Sequence, residues 1–201
     1  FGHMEIVTLL LDRGANMDAY NKYWATPLHL AARVGRLLVA TLLQDRGANM
    51  DTADQDGVTP LHEAAYGGHM EVVTLLLDRG ANMEAADEGG WTPIHHVAYR
   101  GHMEIATILL DRGANMDVIT KDGTTPLHEA ARGGHMEVVT LLLDRGANME
   151  AVDRYGRTAL DVARNGDIRN VLLVRREIQK QGGSRTMKRC QVLVVGHGGA
   201  G

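Results

Sequence analysis

Aromatic side chains are only 4% of the 201 residues, and there are just four prolines and one cysteine, Cys190. A single thiol excludes an intramolecular disulfide. With no secretory apolar segment, the simplest compartment is a reducing, intracellular one, so a cytoplasmic protein is expected, the nucleus being compatible with the same features. No apolar run approaches the roughly 20 residues that span a bilayer, so no membrane partner is expected. Little aromatic bulk beside 24 glycines and 10 methionines argues for many small packing units rather than one bulky core. Positive charge is also short over most of the chain. Residues 1–153 hold 11 Lys+Arg against 22 Asp+Glu, net −11, whereas residues 154–201 hold 10 against 3, net +7. The acidic body is a poor match for nucleic acid, whose affinity rests on neutralising phosphates. The basic end is most simply what keeps a terminal helix and linker solvated.

What the chain does have is self-similarity. Thr26-Pro-Leu-His29, Thr59-Pro-Leu-His62, Thr92-Pro-Ile-His95 and Thr125-Pro-Leu-His128 recur 33 residues apart, and Thr158-Ala-Leu-Asp161 is a degraded fifth copy. A second signature, "GHMEVVTLLLDRGANM", stands at Gly68–Met83 and Gly134–Met149, with variants at Gly2–Met17, Gly35–Met50 and Gly101–Met116. A period of this size marks a stack of supersecondary units. In residues 54–86, Asp54-Gln-Asp-Gly57 has turn composition. Thr59 is placed to N-cap a helix whose first position is Pro60, where a missing N–H costs nothing. Ala64 and Ala65 let a neighbouring helix come close, and Gly67-Gly68 stops the element. Six of the eight residues Met70–Leu77 are apolar, too broad a face for a surface helix. Such a unit cannot bury itself and needs a copy on each side.

The 33-residue step, T-P-L-H-x-A-A, G-H-x-E-V-V and L-L-L-x-x-G-A-N resemble the ankyrin repeat over residues 2 to about 173. The resemblance implies an all-α solenoid of helix-turn-helix units with β-hairpin-like turns. Expected divisions are a partial repeat at 1–20, repeats at 21–53, 54–86, 87–119 and 120–152, and a capping repeat at 153–181. A basic linker at 182–189 and a truncated strand opening another domain at 190–201 follow. The resemblance also implies a monomeric protein-interaction module with another protein as partner, no cofactor and no catalysis by this chain.

His29, His62, His95 and His128 share one repeat position, and His3, His69, His102 and His135 share another. A residue repeated once per unit reads as part of the unit, and no metal-ligand spacing converges, so no metal is expected. The Asp–Arg pairs of "LLLDRGA" read as solvated edges. The aromatics differ, because they vary between copies. Tyr23, Trp24, Trp91 and Tyr155 lie before the Thr-Pro step, where the family architecture implies projecting turn tips. Tyr66 and Tyr99 end first helices and are expected on the concave face, joined by Arg33, Arg100 and Arg132. His96 stands where other copies have Leu30, Glu63 or Glu129. Tyr, Trp and Arg are enriched at binding hot spots, so these residues form the candidate partner site. Trp24 replaces Gly57, Gly90, Gly123 and Gly156 of the other copies, so either its turn changes shape or the position carries strain.

The last residues read "QVLVVGHGGAG". Gly196 and Gly201 fit the start of a phosphate-binding P-loop, and Gly196, Gly198 and Gly201 also fit G-x-G-x-x-G; Gly199 adds to the same glycine-rich turn. The run resembles the opening of a Roco-type, small-GTPase-like domain, or alternatively of a Rossmann-like adenylating fold; a glycine-rich tail without such a role is the third reading. Either of the first two would make these repeats the regulatory front of a nucleotide-binding parent. Without the Lys and Ser/Thr of a P-loop, no nucleotide binding by this chain is expected.

Overall fold

A computed structural model describes residues 4–181, and every regular element among them is a helix. A single helix, α1 (Met4–Asp12), is followed by five helix pairs. They are α2 (Pro27–Arg33) with α3 (Leu37–Asp45), α4 (Pro60–Gly67) with α5 (Met70–Asp78), and α6 (Pro93–Arg100) with α7 (Met103–Asp111). Then come α8 (Pro126–Gly133) with α9 (Met136–Asp144), and α10 (Ala159–Val162) with α11 (Gly166–Lys180).

Each first helix starts as its sequence dictates. Thr26, Thr59, Thr92 and Thr125 hold extended backbone at the N-cap, and proline occupies the first turn of each helix. The third residue of each helix, a histidine, closes a reciprocal capping box with the threonine. Left-handed glycines Gly68, Gly101 and Gly134 end α4, α6 and α8.

Even-numbered helices stack on one another in one layer, odd-numbered helices in a second. The first layer packs more intimately because its helices are short and meet through alanine. Ala31, Ala32, Ala64, Ala65, Ala98, Ala130 and Ala131 are all buried there. Closer spacing in one layer than in the other curves the stack, with the shorter helices on the inside. Leu28, Leu61, Ile94 and Leu127 are buried at the same register of successive units, and Leu43, Leu76, Leu109 and Leu142 at another. Burying each such side chain contributes about 1.5–3 kcal/mol. By contrast α1 has no first helix beside it among the described residues. Ile6 and Leu10 are each 54% exposed, whereas their counterparts Val72 and Leu76 are at 1% and 0%.

Three hydrogen-bond ladders tie unit to unit. Nε2 of His29, His62, His95 and His128 donates to the carbonyls of Val58, Trp91, Thr124 and Arg157, 29 residues on, at 2.9–3.1 Å. Nε2 of His69, His102 and His135 donates to Arg33, Tyr66 and Tyr99 carbonyls of the preceding unit at 2.8–3.2 Å. The turns join edge to edge through Gln55 N–H to Tyr23 O, Glu88 N–H to Asp56 O, Lys121 N–H to Gly89 O and Arg154 N–H to Asp122 O. The structural role expected of the repeated histidines is the one the geometry shows.

The Asp–Arg pairs do more than the solvated edges expected of them. Each arginine reaches the aspartate of the preceding copy: Arg46 to Asp12, Arg79 to Asp45, Arg112 to Asp78 and Arg145 to Asp111, at 2.5–2.7 Å, with Arg175 on Asp144 continuing the series. At the last unit Asp161 takes the place of the histidine. It accepts hydrogen bonds from Thr158 N–H and Oγ1 at 2.8 Å, so it completes the local cap. A carboxylate has no N–H to pass on to a further unit, so the histidine ladder stops at α10.

Candidate functional site

Five of the residues singled out by sequence converge on the inner faces of α4 and α6. Tyr66 ends α4, while His96, Tyr99 and Arg100 lie on α6 and Trp91 enters it. The His96 ring stands edge-on to Tyr66 at 5.8 Å and tilted against Trp91 at 5.2 Å, and Trp91 meets Tyr99 edge-on at 5.8 Å. The Arg100 guanidinium lies over the Tyr66 ring, 4.7 Å from its centroid. Tyr66 and Tyr99 remain 43% and 40% exposed, so the cluster presents aromatic faces to solvent. Aromatic packing of this kind fixes side chains that would otherwise lose rotamer freedom on binding.

Trp91 departs from its expected position. The tip of its turn is Glu88–Gly90, and Trp91 sits at the base, partly buried against His95, His96 and Tyr99. Its carbonyl is also held by His62, so backbone and ring are both fixed.

His96 is the least settled polar group. Its Nε2 is 3.4 Å from Asp87 Oδ2, an ion-pair distance without hydrogen-bond geometry, and it finds no other partner. Asp87, which sequence reasoning missed, is held below the usual carboxylate range. Burial works against that, but the His96 contact and the N–H groups of Trp91 and Gly89, each 2.8 Å from Oδ1, outweigh it. The flanking His62 and His95 are pushed down to about 4, chiefly by burial and also by the nearby His96. Their Nε2–H donates to a carbonyl while Nδ1 accepts from the capping threonine, a pattern that only the neutral ring can satisfy. Both nitrogens of these two rings are therefore used. Among the described residues no group of three His, Cys, Asp or Glu is arranged to hold a metal.

The other candidates lie around this centre or apart from it. Arg132, on α8, grips the fully buried Glu129 through Nη1 at 2.9 and 3.0 Å. At the same register on α4, burial raises Glu63, with Arg33 opposing the shift. Tyr99, Arg100, Arg132, Gly133, His135 and Arg164 line a cleft of about 220 Å³ adjoining the aromatic cluster. Tyr155 lies in the last turn, flanked by Arg154 and Arg157 at 4.7 and 4.8 Å, and Lys22 covers Tyr23 at 4.6 Å. Neither tyrosine belongs to the central cluster. Trp24 keeps the shape of the glycine turns: Asn21 Oδ1 accepts from Tyr23 and Ala25 N–H as Asp54 Oδ1 does from Asp56 and Val58. It does so at φ 65°, the only non-glycine residue with positive φ among those described, and 59% exposed.

Alternating short and long helices, threonine–histidine caps and a hydrogen-bond step of one repeat agree with a direct family comparison. A model of three ankyrin repeats matches residues 35–120, 68–153 and 112–181, and a single-repeat ankyrin model matches residues 1–22. The chain belongs to the ankyrin-repeat family. Comparison with curated proteins gave no match. The family match ends at residue 181, and the glycines Gly196, Gly198, Gly199 and Gly201 with the expected strand at 190–201 lie outside the described residues. Ankyrin repeats are in general protein-binding modules rather than catalysts. No described helix is long and apolar enough to cross a membrane.

Proposed function

We propose that this ankyrin-repeat chain captures a protein partner along the inner face of α4, α6 and α8, with Tyr66, Trp91, His96, Tyr99 and Arg100 as the anchor. The observation that carries the reading is the convergence of residues that break the repeat pattern into one half-exposed aromatic cluster. Turn tips carrying Tyr23, Trp24 and Tyr155 supply outlying contacts. Cluster side chains already packed on each other lose little further freedom on binding, which is how rigid aromatic anchors give affinity. The reading of residues 190–201 as the edge of a nucleotide-binding domain rests on sequence pattern and contributes nothing to this proposal.

The test begins with a binder selected from a displayed peptide library and titrated by calorimetry. Tyr66→Ala with Tyr99→Ala should weaken it at least about tenfold, since hot-spot truncations cost upward of about 2 kcal/mol. The melting temperature should stay close to wild type because both rings are half-exposed. Trp91 is left intact, because its partly buried ring also serves the fold. Undiminished binding by the double variant would place the anchor elsewhere.

A further inference from the structure

The ladder arginines at 46, 79, 112, 145 and 175 each hold an aspartate of the neighbouring unit. Arg100 and Arg164 are different. Both are exposed, both line the 220 Å³ cleft between the ends of α6 and α8 and the second residue after α10, and neither has a carboxylate partner among the described residues. The third arginine of the cleft, Arg132, spends Nη1 on Glu129 and keeps Nε and Nη2, two donors of its fork, for another acceptor. No acidic side chain lines the cleft. Helix C-termini would ordinarily repel an anion, but here the Tyr99 carbonyl is already occupied by His135 Nε2 at 2.8 Å. Three guanidinium groups around one carboxylate-free cleft stand out on a body whose first 153 residues carry a net −11.

We propose that this cleft is a carboxylate-binding subsite, and that the partner is an extended peptide whose glutamate or aspartate run enters it. Tyr99 belongs to both the cleft and the aromatic cluster, and Arg100 lies over Tyr66. A single chain lying along the inner face therefore meets aromatic rings first and paired guanidinium donors next. Its matching chemistry is one or two apolar residues followed by consecutive carboxylates. Bidentate Arg–carboxylate pairs supply the specificity. Nucleic acid is the weaker fit, because the acidic flanks would repel the rest of a phosphate chain. The inference rests on the inner face being the binding surface.

The test uses three fluorescein-labelled probes: a peptide of about twelve residues with Leu-Phe followed by four glutamates, the same peptide with four glutamines, and oligothymidylate of similar length. Anisotropy should show the glutamate peptide binding at least about tenfold tighter than the glutamine peptide at low salt, a preference shrinking as salt is raised. Arg100→Gln with Arg164→Gln should erase that preference, whereas Arg112→Gln on the ladder should not. Arg132 is kept, since removing it would strand buried Glu129. Equal binding of both peptides, lost with Tyr66→Ala and Tyr99→Ala, would overturn the carboxylate subsite while leaving the aromatic anchor standing. Absence of glutamate-peptide binding, or tighter binding of the oligonucleotide, would also overturn it.

Discussion

Acidification to about pH 5 should cost this stack about 4 kcal/mol through His62 and His95, and His29, also lowered by burial, adds to the loss. His62 and His95 are lowered from 6.5 to about 4, mainly by burial. Because the folded value lies below the unfolded one, the unfolded chain binds more protons throughout that window. The contribution of each neutral ring is therefore complete above about pH 6.5 and is withdrawn progressively towards pH 4. A displacement of this size corresponds to about 3 kcal/mol per ring at saturation and about 2 kcal/mol per ring at pH 5. Protonation would also place a proton on Nδ1, which now accepts from Thr59 and Thr92 N–H at 3.1 and 3.2 Å. Glu63, raised by burial, works in the opposite direction and trims the loss. Asp87 and Asp161, held low, and Asp153, held at about 2, lose their contributions only below the window.

Since domains in this range are stable by about 5–15 kcal/mol, such a loss is a large fraction of the whole. Urea melts followed by circular dichroism at about pH 7.5, 6 and 5 measure it. Histidine ring resonances followed by NMR assign it, with His62 and His95 failing to titrate near 6.5 while the chain stays folded. Stability that changes by less than about 1 kcal/mol over this range would refute the reasoning. So would titration of either ring near its ordinary value.

Trp24→Gly should raise stability. A bulky residue in left-handed backbone costs about 1–2 kcal/mol, and glycine returns about 0.5–1 of that as chain entropy, leaving a gain of about 0.5–1 kcal/mol and a few degrees in calorimetric melting. A fall in melting temperature would show contacts by the exposed indole that outweigh the strain. Arg112→Ala should lower stability by no more than about 1 kcal/mol, because the ion pair to Asp78 is between a third and three-fifths exposed on its two sides. The difference from wild type should shrink in about 1 M salt; a larger, salt-independent loss in urea melts would point to packing by the arginine stem.

The architecture was legible because each signal is local and repeated: threonine before proline, a capping histidine, glycine at each helix end. Three features of the site were not legible, for separate reasons. Asp45 and Arg46 adjoin in sequence and look like a local pair, but each turns to a different neighbouring copy, so the link appears only once copies are stacked. Glu129 reads as a polar surface residue, yet it is fully buried and held by Arg132. Arg164 carried no signal of its own, since it joins the cleft only because α10 is a four-residue turn of helix. The chain leaves that turn early enough for Arg164 N–H to approach the Ala131 carbonyl at 3.4 Å. Ala159 in place of Pro, Asp161 in place of His and the divergent run from Arg164 onward marked a changed repeat there, without showing where its first helix ends.

The aromatic centre could be found from sequence for a reason that belongs to stacked repeats. A step of 33 residues carries a side chain to the same register of the next unit, so Tyr66 and Tyr99, far apart in the chain, lie on adjacent helices. Departures from the repeat pattern at neighbouring copies are therefore neighbours in space. Departures four units apart are not, which is why Tyr23 and Tyr155 occupy similar turns yet stay outside the cluster. The repeated side chains are already committed: Nδ1 of each capping histidine closes its own helix cap, while its Nε2, Nε2 of the second histidine series and the arginines of the ladder hold neighbouring units together. A substitution at those positions unpicks the stack. What can vary at less cost is the inner face of each first helix and the residues flanking it, and that is where Tyr66, His96, Tyr99, Arg100 and Arg164 stand, with the Trp91 ring shared between the fold and the cluster. Recognition in such a chain is concentrated where the lattice leaves side chains unused, so changing the partner preference should require substitutions at those few positions and none in the ladders.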